Sequence, residues 1–261
     1  MKVLLINNLH RKRGGADVVY FNTAELLREA GHEVYFFSIT TPDMEPCEEA
    51  SYFAPNEERA SVFRKIKNYC YNKVAAENLQ SLIQKVRIDI AHVHLIWGGL
   101  SPSILVTLRE NHIPVVHSVH DYRMICPAYT LRSIKGDVCE KCKGGKYYHC
   151  TIDRCSKRSL VESSLMTYEM YLRNRKYNPC ELIDGFIYVS KFARNKHMEF
   201  EKRFADNYSC VLYNFWIGKE IMGVSENDKS NSYYLYYGRL SREKGIWTLI
   251  KAFEGHPKLQ L

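Results

Sequence analysis

The 261-residue chain predicts an α/β fold built on a doubly wound parallel sheet. Three observations carry that expectation. Short apolar runs rich in β-formers alternate with segments of helical period, and the connections between them are short. The first forty residues already read strand, loop, helix, strand. The one long aperiodic stretch, 120–158, follows directly on a strand-like run, where such sheets place their functional loops.

KVLLINN at 2–8 is too short to be a secretion signal core and reads as a buried strand. After the polar turn LHRKRGG, Val18, Val19, Phe21, Leu26 and Leu27 recur at helical spacing, and Gly31 ends the segment. EVYFFSI at 33–39 is the second strand. Residues 41–56 carry Pro42, Pro46 and Pro55 among acids and read as a loop, and 57–87 is a long helical pattern with room for one break. DIAHVHL (89–95) and IPVVHSV (113–119) are strands. Between them, SPSILVTLRENH fits a helix with Ser101 as N-cap and Pro102 at its first position. Helical patterning resumes over 159–178, and strands DGFIYVS (184–190) and YSCVLYN (208–214) flank the helical run KFARNKHMEFEKRF. GVSENDKSNS (223–232) reads as a linker, after which YYLYYG and EKGIWTLIKAF set out another strand, turn and helix. The expected division is a Rossmann-like domain over 1–222 with a Cys-rich insertion at 120–158, a linker at 223–232, and an incomplete second domain over 233–261.

Composition removes several classes. With 46% hydrophobic and 25% charged residues the chain is an ordinary globular protein, not a disordered one. No apolar run reaches the roughly 18 residues of a spanning helix, and no export signal opens the chain. Nine cysteines are an odd number for a disulfide framework, so thiols or metal ligation are preferred and the expected compartment is the cytoplasm. A net charge of +8 favours anionic partners: nucleotides, phosphates, nucleic acid or an anionic membrane surface.

Six constellations can carry function. Gly14 and Gly15, in RKRGGAD, sit where a strand turns into a helix; paired glycines let a backbone approach a ligand, and a helix N-terminus offers N–H groups to an anion. The alternative is a tight turn needing a positive φ. In GRLSREKG, Arg239 and Lys244 supply a planar fork and a point charge suited to a diphosphate, against the alternative of a solvated charge run. In VVHSVHDY, His117 reads as structural, and His120, at the C-terminal lip of a strand, is the candidate to touch a substrate. His92 and His94 share one sheet face and could ligate a metal, although hydrogen-bonded core histidines are commoner. Cys139, Cys142, Cys150 and Cys155, with Cys126 as a substitute, are the candidate ligands of a structural zinc in a loop with no evident core; free thiols or a local disulfide are the alternatives. The helix at 159–178 carries Leu160, Leu165, Met166, Met170, Tyr171 and Leu172 and ends in RNRK, which reads as a core helix with a basic end or as an interfacial membrane contact.

Taken in order, KVLLINN, GGADVVYFNTAELLREAGHEVYFFS, DIAHVHL, IPVVHSVHDY, FIYVSKFARN and VLYNFWI resemble the N-terminal half of a GT-B glycosyltransferase of the retaining family four, and YYLYYGRLSREKGIWTLIKAF resembles the start of its donor-binding half. The resemblance implies transfer of a sugar from a nucleotide-activated donor to a glycan or lipid-linked acceptor, in polysaccharide or glycoconjugate biosynthesis. It implies that Arg239 and Lys244 neutralise the departing diphosphate, that Gly14 and Gly15 close over donor phosphates or acceptor, and that His120 positions the donor sugar. It requires no cofactor or metal for catalysis. The family's glutamate pair, eight positions apart, is not found by residue 261, so 1–261 is expected to be catalytically incomplete. Two other classes remain open: a non-catalytic nucleotide-sugar or glycan binding module, and a zinc-stapled nucleic-acid binder using the basic loop with Tyr147 and Tyr148, although no nucleic-acid partner is expected. Peripheral contact with the inner face of a membrane is a further expectation.

Overall fold

The computed structural model describes residues 1–218, 233–240 and 244–256. The chain divides into two units, 1–217 and 218–261.

In the first unit six strands form one all-parallel sheet in the order β2-β1-β3-β4-β5-β6: β1 (Lys2–Leu9), β2 (Glu33–Ile39), β3 (Ile90–Val93), β4 (Val115–Val119), β5 (Gly185–Tyr188) and β6 (Tyr208–Val211). The β1-to-β2 step runs one way along the sheet and carries α1 (Gly15–Glu29). Every later step runs the other way. Because parallel crossovers are right-handed, the intervening helices go to the opposite face: α2 (Val62–Cys70), α3 (Lys73–Lys85), α4 (Ser103–Glu110), α5 (Tyr148–Ile152), α6 (Leu160–Lys176), α7 (Pro179–Leu182) and α8 (Lys191–Phe200).

The two faces bury alternate residues of each strand. Leu4, Ile6, Ala91, Val93, Val115, Val119, Phe186 and Tyr188 pack against Leu79 and Leu82 of α3, Leu105 and Leu108 of α4 and Phe200 of α8. Val3, Leu5, Val34 and Phe36 pack against Tyr20 and Ala24 of α1. Each fully buried Leu or Phe here contributes about 1.5–3 kcal/mol of transfer free energy.

The break expected within 57–87 falls between α2 and α3, where the Asn72 side chain accepts the Ala75 N–H at 3.1 Å. The expected cap of α4 is displaced. Pro102 takes the N-cap position and Ser101 adopts φ 67°, while its buried hydroxyl accepts the N–H groups of Asn72 (2.8 Å) and Ser103 (3.3 Å).

The insertion at 120–158 is not coreless as expected. Met124, Ile125, Ala128 and Leu131 join the main core, and Cys142, Tyr147 and Cys150 form a satellite core with Met170 of α6. Helix 160–176 packs on the core through part of its surface. Met170 and Arg173 are buried and Leu165 and Met166 half-buried, while Leu160, Val161, Tyr168 and Tyr171 are exposed.

In the second unit α9 (Ile246–Glu254) follows Gly245, which takes φ +74°, a left-handed geometry suited to glycine. Residues 233–238 form no strand, contrary to expectation. A strand needs a hydrogen-bonded neighbour, and the described residues of this unit supply none. The linker 223–232 and residues 241–243 of the basic turn lie outside the described residues.

Candidate functional site at the strand ends

The apolar run of β1 ends in two asparagines that pin two loops together. Asn7, buried, donates from Nδ2 to Asp17 Oδ1 (3.0 Å) and the Leu9 carbonyl (2.8 Å), and its Oδ1 accepts the Leu95 N–H (3.1 Å). Asp17 Oδ2 in turn accepts the Gly14 N–H at 3.0 Å. Asn8 accepts from the Leu100 N–H (3.0 Å) and donates to the Trp97 carbonyl (3.2 Å). The glycine turn after β1 and the loop after β3 are thereby held as one piece.

The glycine pair itself is not demanded by backbone strain. Gly14 is extended (φ −127°, ψ 168°), and a Cβ added there would sit in ordinary contact with Asp17. At Gly15 an added Cβ would meet nothing within 4 Å. The positive-φ reading fails, and open space is left over the first turn of α1.

Histidines line the α1 face beside this turn. His94 Nδ1 and His120 Nε2 share a hydrogen bond of 2.9 Å, and His92 Nε2 bonds Ser118 Oγ at 2.8 Å. The His92 and His94 rings lie 4.5 Å apart between centroids. His117 points to the other face, buried, with Nδ1 donating to the Val93 carbonyl at 3.1 Å. Desolvation drives all four toward the neutral form. His92 and His120 fall to about 4 and His117 to about 3, while His94 lies well below its ordinary value, with neighbouring histidines adding to the effect on His92, His94 and His117. Nearby, His10 bonds the Tyr20 hydroxyl at 3.0 Å, and burial lowers it to about 4.

A cavity of about 220 Å³ opens on this row, with His92, Ser118 and His120 on its sheet wall, Val19 and Thr23 on the α1 side and Asn214 among its lining residues. A ring with a pKa near 4 is a poor proton carrier at neutral pH, because general acid–base catalysis is most efficient when the group titrates near the working pH. His120 is suited instead to hydrogen-bond a ligand without carrying charge.

Behind β4, on the other face, charge is buried rather than avoided. Arg173 and Glu169 of α6 pair at 3.1 Å with almost no exposure, the guanidinium lies 4.2 Å over the Trp97 ring, and it donates to the Arg123 carbonyl at 3.0 Å. Arg123 reaches the Tyr69 hydroxyl, and its N–H is accepted by Asp121 at 2.9 Å. Burial raises the Asp121 carboxyl. The segment that follows His120 is thus clamped from below.

The five cysteines of the insertion are free thiols. Burial pushes Cys142 up to about 12, and Cys155 donates to Cys150, raising the first and lowering the second. Among the described residues no group of three or more His, Cys, Asp or Glu side chains could hold a metal ion. The candidate zinc ligands Cys139, Cys142, Cys150 and Cys155, with Cys126, do not form such a group, although Cys126, Cys155 and Cys139 all lie near enough to Cys142 to add to its rise. Cys142 and Cys150 pack with Tyr147 and Met170 in the satellite core.

In the second unit, the Tyr236 hydroxyl donates to the Arg239 carbonyl at 2.8 Å, and Lys244 is exposed ahead of α9. Sequence reasoning missed Asn7, Asn8, Asp17 and Arg173. The Asn-Asn pair closing an apolar strand is a readable signal for the first two. Arg173 stands in a basic helix end and gives none.

Solved structures similar to the chain include LpCGTa in complex with UDP (13% identity, 85% of this chain and 55% of that one, TM-score 0.45). A second is UGT71G1 of Medicago truncatula with UDP-glucose (12%, 81% and 50%, 0.44), and a third is a transferase of Siraitia grosvenorii with UDP (8%, 81% and 50%, 0.43). The chain spans about half the length of these proteins. No curated protein matches it. The profile of Glycosyltransferase Family 4 matches residues 13–214, and the chain belongs to that family.

Proposed function

We propose that this protein is a retaining glycosyltransferase that moves a sugar from a nucleotide-activated donor to a glycan or lipid-linked acceptor, in polysaccharide or glycoconjugate biosynthesis. The observation that supports it best is His120: a neutral ring at the C-terminal lip of β4, oriented by His94 and opening on the cavity beside α1. In this reading His120 holds a hydroxyl of the donor sugar. The open first turn of α1 receives phosphate or acceptor oxygens on the backbone N–H groups from Gly15 onward, the Gly14 N–H being held by Asp17. Arg239 and Lys244 neutralise the leaving diphosphate, which is electrostatic catalysis at the point where charge develops and asks for no metal.

The test, made on a chain that carries the whole donor-binding half, is transfer from a panel of UDP- and GDP-sugars to polysaccharide and lipid extracts, with product anomers assigned by NMR. His120→Ala is expected to lower kcat about ten- to a hundredfold, on the scale of one strong hydrogen bond, with the pH profile between 6 and 9 unchanged. An unchanged kcat would remove His120 from the site, and product of inverted configuration would overturn retention.

A further inference from the structure

His94 is fully buried, while His120, which it bonds, is half-buried on the wall of the 220 Å³ cavity. The bonded nitrogens are 2.9 Å apart, the ring centres 5.1 Å apart and the ring planes within 20° of each other. Those three values describe imidazoles joined nitrogen to nitrogen, nearly in one plane, and not rings laid face to face. His94 Nδ1 and His120 Nε2 are the joined atoms, so the outer nitrogens are His94 Nε2 and His120 Nδ1.

Burial keeps both rings neutral at pH 7, His120 falling to about 4 and His94 lying well below its ordinary value. Two neutral imidazoles carry two N–H hydrogens between them. One lies in the shared bond, and the other must sit on one of the outer nitrogens. His94 Nε2 is enclosed with no hydrogen-bond partner among the described residues. The Tyr20 ring, which meets His94 at 79° and 5.4 Å between centroids, offers at most a weak π acceptor. A hydrogen on His94 Nε2 would therefore be an orphaned donor in the core, which folded proteins almost never keep. His120 Nδ1 also lacks a partner among the described residues, yet it is not enclosed, and its ring borders a cavity where water or a ligand can accept. The second hydrogen belongs there.

We propose that His94 is a positioning residue for His120: its Nδ1–H donates to His120 Nε2, fixes that ring as the Nδ1–H tautomer, and leaves it to meet a ligand only as a hydrogen-bond donor. With Nε2 occupied and Nδ1 already carrying hydrogen, His120 has no lone pair with which to take a proton from an acceptor hydroxyl. What it selects is an oxygen lone pair. Assigning that oxygen to the donor sugar rests on the transferase reading above, whereas the tautomer does not.

The experiment is long-range nitrogen-15 NMR of the histidine-labelled protein at pH 7, with the His120 signals assigned by their loss in His120→Ala. A hydrogen on Nδ1 and a bare Nε2 are expected. In His94→Phe that pattern should be lost, and in a chain that carries the whole donor-binding half kcat should fall about tenfold, the scale of one hydrogen bond, with donor KM changed less. His94→Asn puts an amide N–H where Nδ1–H stood, and should restore the pattern and bring kcat to within about threefold of native. In a His120→Ala background, His94→Phe should cost no further rate, because it acts through the ring already removed. If His94→Phe unfolds in a thermal melt, the native spectrum and His94→Asn decide. A native His120 with hydrogen on Nε2 or on both nitrogens would overturn the proposal. So would a folded His94→Asn that behaves as His94→Phe does, or a rate loss in His94→Phe that persists undiminished without His120. A chain that holds this tautomer yet transfers no sugar would remove the transferase reading alone.

Discussion

One face of the sheet is built in two ways. Over β1 and β2, α1 lies directly on the strands and Tyr20 and Ala24 seal Val3, Leu5, Val34 and Phe36 from solvent. Over β3 to β6 the same face has no comparable cover within the first unit: His92, His120, Ile187 and Val189 are half-buried around the cavity, and Leu212 is exposed. The difference follows from chain direction, because only the β1-to-β2 step carries its helix to this side. Polar rings are tolerated where the face is open, and the candidate site stands on that open part. The covered part serves as its anchor.

The comparison can be broken most directly by truncation. Phe36→Ala, which removes a ring packed at a tilt among His10, Tyr20 and Phe21, is expected to cost about 3–5 kcal/mol. Ile187→Ala, on the open part, should cost less than about 2 kcal/mol, because its surroundings are already partly solvated. Urea unfolding of the two variants reads the contrast, and equal losses would show the two parts to be packed alike.

Much of this division is legible in residues. Runs such as KVLLINN and EVYFFSI read as strands because both faces of a parallel strand are apolar, and the period of 18–27 places α1. The end of β4 at His120 follows from where VVHSV stops. What could not be read depends on long-range pairing. Nothing local marks Arg173, 50 residues from the Arg123 carbonyl it holds, and C-x2-C spacing does not show that Tyr147 and Met170 pack with Cys142 and Cys150. The missing strand at 233–238 has the same cause: YYLYYG has β-propensity, but a strand exists only when something pairs with it.

A weaker effect comes with acid. His10, His92 and His120 have folded values near 4, His117 near 3, and the unfolded value is 6.5. The folded state therefore binds fewer protons than the unfolded state. Stability is complete above about pH 6.5 and falls as pH drops toward 4, by up to about 1.4 kcal/mol per pH unit for each uncoupled ring. Glu199, held down to about 2 by Lys143 and Lys196, acts in a separate window and loses its contribution only as pH falls below 4.5. Urea midpoints measured from pH 7 to 5 should decline for the native chain and decline less for His92→Gln. Parallel declines would show that the open row does not titrate as its burial requires.

The smallest effect is the most diagnostic for the site. Gly15 stands at the first position of α1, where alanine is the better helix former by about 0.5–1 kcal/mol, and a Cβ there would touch nothing within 4 Å. If folding alone set the choice, alanine would be preferred. Gly15→Ala is therefore expected to raise the melting temperature slightly while raising KM for the sugar donor or the acceptor severalfold, because the added methyl occupies the space over the helix N-terminus. That opposition of sign separates a glycine kept for a ligand from one kept for the chain. A stabilised variant with both KM values unchanged would detach the glycine pair from the site and leave the open face of the sheet, with His120, as its whole extent in this unit.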